Sequence, residues 1–461
     1  MMKILNTCKV GMALIAAAFL GIATSQRADA ISFYLTDVGT LGGNNSYATD
    51  INEYGQVVGT SYTADGQSRA FLWDNSSGMT NLGTLPSNYN YCYNYGYGYG
   101  SCYSSSSSNA TAINDYGQVI GNSSTTYYGG YYGGYYEQNL FFFDKSSGMI
   151  RVPTPGGGYR SISATAINNY GQVIGNIYDY YGLYPFFWEK SSGITYLGTA
   201  SGYFDDRYSS ASAINNYGQV VGTSSGYYSY YGGYLNYRQY PFLWEKSSGM
   251  IDLGSLGGNY GRASAINDLG QVVGTSYTAD GLRRAFLWEK SSGMIDLGTL
   301  GGNYGYASAI NDLGQVIGYS TTADGLPRAF FWDKSSGMIN LGTLGGYDSY
   351  PTAINNYGQV IGYSTTADGQ YRPFFWDNST GMSDLNDLVS APGWILNNVV
   401  GINNAGQIVG NGSYNGQSRA FVLTPKSVPE PSSTLAFLTL GAVGAGAAFR
   451  QRQQQEASSR N

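Results

Sequence analysis

The chain has 461 residues with 67 Gly, 46 Tyr, 11% charged residues, no His and a formal charge of −6. That balance excludes a nucleic-acid binder, which needs a basic patch or stripe. Gly and Tyr richness at 42% hydrophobic content favours strands and turns around a real core over helices.

The first thirty residues read as an export signal. Lys3 and Lys9 supply the positive region, and VGMALIAAAFLGIAT from Val10 to Thr24 the apolar one. Ala28 and Ala30 frame an A-x-A cleavage site for signal peptidase, so the mature chain begins at Ile31. Two cysteines then remain, Cys92 and Cys102. At that short spacing in an oxidising compartment they are a candidate disulfide. Two thiols without His fall short of a four-ligand set, and no metal or other cofactor is expected.

Past the signal, ISFYLTDVGTLGG is a single strand-like piece, and a repeating unit follows it. The motif AINDLGQVVG has eight copies, whose glycine before Gln falls at 55, 117, 171, 218, 270, 314, 358 and 406. The shortest spacing is 44 residues, from 270 to 314 and again to 358, and the other units carry insertions. The copy from Tyr306 divides into four short strands, YASAIN, QVIGYSTT, RAFFW and MINLGTL. Between them lie INDLGQ, ADGLP and DKSSG, with Asn, Asp and Gly placed as turns need them. Four strands in about forty residues is the pattern of a β-propeller blade.

QVVG and AFLW are apolar on both faces, as suits strands packed between neighbouring blades. Trp73, Trp188, Trp244, Trp288, Trp332 and Trp376, with Phe143 in the second copy, are therefore expected to pack between blades. The last unit, VVGINNAGQIVGNGSYNGQSRAFVLTP, lacks a fourth strand. The first piece supplies one. The predicted fold is all-β: a propeller of four-stranded antiparallel blades closed by residues 31–38 pairing beside 419–423. Eight blades result, with seven and a spare unit as the alternative.

The chain ends with VPEPSS, an apolar run from Thr434 to Phe449, and Arg450 and Arg452. Pro429, Glu430 and Pro431, the apolar stretch and the Arg pair resemble, in that order, the PEP-CTERM sorting signal of bacterial exported proteins. The resemblance implies an exosortase as partner and a transient inner-membrane hold through a short apolar helix. It further implies delivery to the cell surface or extracellular matrix of a Gram-negative-type bacterium. RAFLW, GMIDLGTLGG and AINDLGQVVG likewise resemble the HAF family of extracellular repeats, although Arg69, Arg284, Arg328 and Arg419 stand where that family has His. The expected organisation is a signal peptide over 1–30, an HAF-repeat propeller over 31–425 and a sorting segment over 426–461.

In a four-stranded meander successive turns alternate between two ends, and the large insertions fall at one of them, among them PSNYNYCYNYGYGYGSCYSSSSSNA before the second unit, read as a loop. They bring Tyr127, Tyr128, Tyr131, Tyr132, Tyr135 and Tyr136 in the second unit. Tyr180 and Tyr181 come in the third, and Tyr227, Tyr228, Tyr230 and Tyr231 in the fourth. Loops on a rigid scaffold are where binding concentrates. Tyr joins an apolar ring to a polar tip at small entropic cost, which suits an exopolysaccharide. Without His, and with most acids in turns, no catalytic set stands out. The expected function is a non-enzymatic binding or structural module of the cell surface or exopolysaccharide matrix. The alternative is a carbohydrate-active propeller lyase or hydrolase using Asp, Glu and Arg.

Overall fold

The computed structural model describes residues 31–86, 103–128, 135–154, 161–180, 182–198, 208–229 and 235–426. The signal residues Ala28 and Ala30, both cysteines and the sorting residues Pro429, Glu430, Pro431, Arg450 and Arg452 lie outside them, as do Tyr131, Tyr132, Tyr181, Tyr230 and Tyr231. Among the described residues the regular structure is all strand, and no helix is long and apolar enough to cross a membrane. Residues 33–424 form one compact unit.

The strands fall into consecutive antiparallel meanders of four, the blade pattern of a propeller. Six are separate four-stranded sheets, and the repeats from Gly257 and Gly301 join into one eight-stranded sheet. That join is a single parallel pair, Arg283 with Tyr304. The strand Phe33–Asp37 lies beside Gln417–Pro425, in the order expected, and the Val38 amide donates to the Ala420 carbonyl at 3.1 Å.

Each repeat buries both faces of its middle strands. In the first, Phe71 and Trp73 pack with Val409, Ala420 and Val422 of the last repeat. Ala70 and Leu72, one residue out of phase, pack with Ala110, Ile113, Val119 and Phe141 of the next. Val57 and Val58 divide in the same way. Successive side chains of a strand point to opposite faces, so an unbroken apolar run can serve two cores. The Trp position packs between sheets, with Phe142 on Trp188 and Phe187 on Trp244, both at 5.2 Å between ring centroids. A fully buried side chain such as Phe71 contributes about 2 kcal/mol.

The glycine of QVIG sits where no side chain fits. A Cβ on Gly318 would lie 1.9 Å from the Tyr306 carbonyl oxygen and 2.8 Å from the Phe330 ring. The neighbouring strand bulges there, at the register shift between Ala307 and Ala309. The turn glycine, Gly314, has φ +75°, and the Asn311 amide reaches the Gln315 carbonyl at 3.0 Å around it. This is a three-residue turn ending in a left-handed glycine, and the ADG turns repeat it, as at Gly325 with φ +81°.

The structure corrects several expected boundaries. The first strand of the unit is Gly301–Ile310, because GGN belongs to it. The fourth is only Gly337–Asn340, since Gly342 at φ +79° turns the chain out of the sheet. The serine run before the second unit, read as loop, is the strand Tyr103–Ile113. A hydroxyl ladder supports it: Ser107 with Ser124 at 2.8 Å and Ser106 with Thr125 at 3.2 Å.

Candidate binding site

The two ends of the sheets differ in chemistry. At one end stand the Asn-Gly turns. Asn311 accepts through Oδ1 from the amides of Leu313 and Gln315, at 3.1 and 2.9 Å. Its Nδ2 donates to Gln315 Oε1 at 2.7 Å and to the carbonyl of Asn355, in the next sheet, at 2.9 Å. Every repeat makes that last bond. Asn52 reaches Asn114, and Asn114 reaches Asn168, which reaches Asn215. Asn215 reaches Asn267, which reaches Asn311. Asn355 reaches Asn403, and Asn403 returns to the carbonyl of Asn52 at 3.1 Å.

The residue after each Asn forms a second circuit, backbone amide to next side chain. It runs from Glu53 to Asp115 at 3.0 Å and comes back from Asn404 to Glu53 at 2.9 Å. A cavity of about 360 Å³ lies within these rings. The Glu53 carboxyl is raised by burial, with Asp115 and Asp312 adding to it. No group of three or more acids or cysteines among the described residues could hold a metal ion. These acids hold turns together.

Five exposed tyrosines, Tyr54, Tyr116, Tyr170, Tyr217 and Tyr357, stand in those turns, while the predicted tyrosines lie toward the other end. Part of the predicted set is strand. Tyr127, Tyr128, Tyr135 and Tyr136 end the strands Val119–Tyr128 and Tyr135–Asp144, with Tyr127 paired to Tyr135. Tyr227 and Tyr228 lie in Val220–Ser229, opposite Tyr237 and Asn236. Insertions read as loops thus begin as prolonged hairpins. Tyr180 follows the strand Val173–Asp179 and is 93% exposed.

The aromatic surface extends well beyond that set, into repeats that carry no insertion. Tyr237 meets Tyr260 at 6.2 Å, and Tyr260 meets Tyr277 at 5.5 Å. The Arg283 guanidinium lies 5.7 Å from the Tyr277 ring centre and 4.4 Å from that of Tyr304, bridging the two. Tyr319 then contacts Tyr304 and Tyr306, both at 5.4 Å, and Tyr350 at 5.0 Å. Tyr350 stacks on Tyr363 at 5.3 Å, and Tyr363 meets Tyr371 at 5.8 Å. The result is a track of rings across four repeats.

Hydroxyl bonds tie the track together, with Tyr304 and Tyr319 at 2.9 Å and Tyr371 donating to Asp348 at 3.0 Å. Burial, then the bond to Tyr304, pushes the Tyr319 phenol up. Burial first, with Asp348 nearby, does the same to Tyr350 and Tyr363. The phenols stay neutral and keep an O–H to donate. Sequence reading missed this track because its tyrosines are scattered singly. The signal present was Tyr recurring at the fourth position of VIGYST, in Tyr319 and Tyr363.

Beside the track a cavity of about 780 Å³ opens among the strands of the repeats from Ser210, Gly257 and Gly301. Tyr237, Tyr260, Tyr277, Arg262 and Arg283 line it, with serines and Gln239 between them. Its size falls in the range of small-molecule sites.

Comparison with known proteins adds two local matches. Residues 102–256 match a family described as "Protein of unknown function (DUF3466)". Residues 427–453 match the PEP-CTERM protein-sorting motif, which implies an exosortase-sorted exported protein. No curated protein matches the chain significantly in sequence. Among solved structures, the β-propeller domain of the Trilobed protease from Pyrococcus furiosus is similar at TM-score 0.41 and 9% identity, over 74% of this chain and 98% of that one. A puromycin-hydrolyzing peptidase of Mycobacterium tuberculosis is similar at TM-score 0.39 and 13% identity, over 64% of this chain and 48% of that one. TolB from Acinetobacter baumannii is similar at TM-score 0.33 and 10% identity, over 71% and 80%. No activity is carried over from these proteins.

Proposed function

We propose that the mature chain is a non-enzymatic binding protein of the bacterial cell surface or exopolysaccharide matrix. Its scaffold is a closed eight-bladed β-propeller of HAF-type repeats, whose tyrosine track holds polysaccharide. The reading of eight blades rests on the asparagine circuit, which passes through eight repeats and returns to the first. A ring with a spare unit would leave one asparagine outside it.

The observation that carries the binding role is the tyrosine track from Tyr237 to Tyr371. A run of neutral phenols on paired strands offers flat apolar faces to sugar rings and hydroxyls to their oxygens, with little motion left to freeze. Sorting toward the cell surface would bring that track to the matrix.

The test is retention of the mature chain on exopolysaccharide from its own bacterium. Replacing Tyr350, Tyr363 and Tyr371 together by Ala should weaken retention about tenfold, as the loss of a few ring contacts implies. The polysaccharide should leave the column at its original length. Unchanged retention would remove the track from the binding role, and shortened chains would make the protein an enzyme.

A further inference from the structure

The cavity beside the track has a composition that the track alone does not explain. The chain carries a formal charge of −6, yet the cavity wall holds two arginines and no carboxylate. Arg262 is exposed and directs Nε and a terminal nitrogen at Gln239 Oε1, at 3.3 and 3.2 Å. Arg283 stands across the wall between two tyrosine rings. Among the described residues neither arginine has a carboxylate within ion-pair distance, whereas the neighbouring Arg284 reaches Asp296 at 3.7 Å.

The wall also keeps polar capacity in reserve. Thr275, which lines the cavity, is 4% exposed and its hydroxyl has no partner. Arg283 Nε is buried without one as well. Buried polar atoms are almost always bonded, and exceptions mark places where stability is not the only requirement. Around the arginines stand Tyr237, Tyr260 and Tyr277, with Ser264 bonded to Tyr306 at 3.3 Å.

We propose that this cavity is a subsite for an acidic sugar, a uronate-type residue of a polysaccharide, with its carboxylate between Arg262 and Arg283 and its ring against Tyr260 and Tyr277. The inference rests on the polysaccharide-binding reading and narrows its ligand to the anionic class. A planar guanidinium matches a carboxylate in a paired, charge-assisted bond. A local positive site in an acidic protein selects one part of a polyanion while the rest of the surface repels it. Gln239, already bonded to Arg262, holds that guanidinium in place without neutralising it.

Calorimetric titration of the mature chain tests this with two probes of equal length, a polygalacturonate oligomer and the same oligomer with its carboxyls reduced to alcohols. The acidic oligomer should bind at least about tenfold tighter, with an affinity that falls as salt rises. Arg262→Gln and Arg283→Gln should each remove most of that preference and leave binding of the reduced oligomer within about twofold. Arg262 is exposed, so its variant keeps the test open should Arg283→Gln fail to fold. Equal binding of both oligomers, unaffected by Arg262→Gln, would overturn the subsite and leave the polysaccharide reading standing. Binding of neither would overturn the subsite, and loss of retention on the native exopolysaccharide as well would overturn both.

Discussion

Asp50 is the one acid at its position in the repeat, where the other copies carry Ala112, Ala166, Ala213, Ala265, Ala309, Ala353 and Gly401. Its carboxylate accepts from the amides of Ile51 and Ile113, at 2.9 and 3.0 Å. Burial outweighs those bonds and raises its pKa to about 6. A raised folded pKa means that the stability it contributes is present below about pH 4 and is lost as pH rises through about 6. The size is up to about 3 kcal/mol. Asp50→Ala should therefore gain on the wild type between pH 4 and pH 7 in urea unfolding, and parallel curves would refute this. Residue-level reading reached the turns, because Asn and Gly there bond their own neighbours. It did not reach the bond from Asn311 to the next sheet, since that partner is 44 residues away and nothing local marks it. Nor could it weigh Asp50, whose single departure from the repeat matters only once burial is known.

At the scale of elements the unit of four strands was legible, because apolar pairs, ADG turns and Trp positions recur in register. The boundaries that failed share a cause. Side-chain pattern does not report backbone pairing where residues are small, so GGN at the start of Gly301–Ile310 and the serines of Tyr103–Ile113 read as loop. The prolonged hairpin of the second unit follows the same rule. Its outer pairs, such as Thr126 with Tyr136, extend beyond the buried positions, which end at Thr125 and Glu137. Replacing residues 126–136 by a short turn should change unfolding free energy by no more than about 1 kcal/mol. A larger loss would mean that the extension supports the sheet. Glu137 and its 2.9 Å bond to Arg151 stay in place in that design.

For the whole molecule, complementary ends were readable because a lone strand at the start matches a missing one at the end. The two hydrogen-bonded circuits were not, as they need every repeat at once. The candidate site was legible only in part: sequence drew attention to the insertions, while the stacked track and the arginine cavity lie mostly in the regular repeats. All of this depends on the chain closing through its first strand, which removes two free sheet edges. Hydrogen exchange of the mature chain measures that closure directly. Amides of residues 33–38 should exchange as slowly as those of 417–424, both opening only with global unfolding. Exchange of 33–38 within seconds, with 417–424 still protected, would contradict the closed ring.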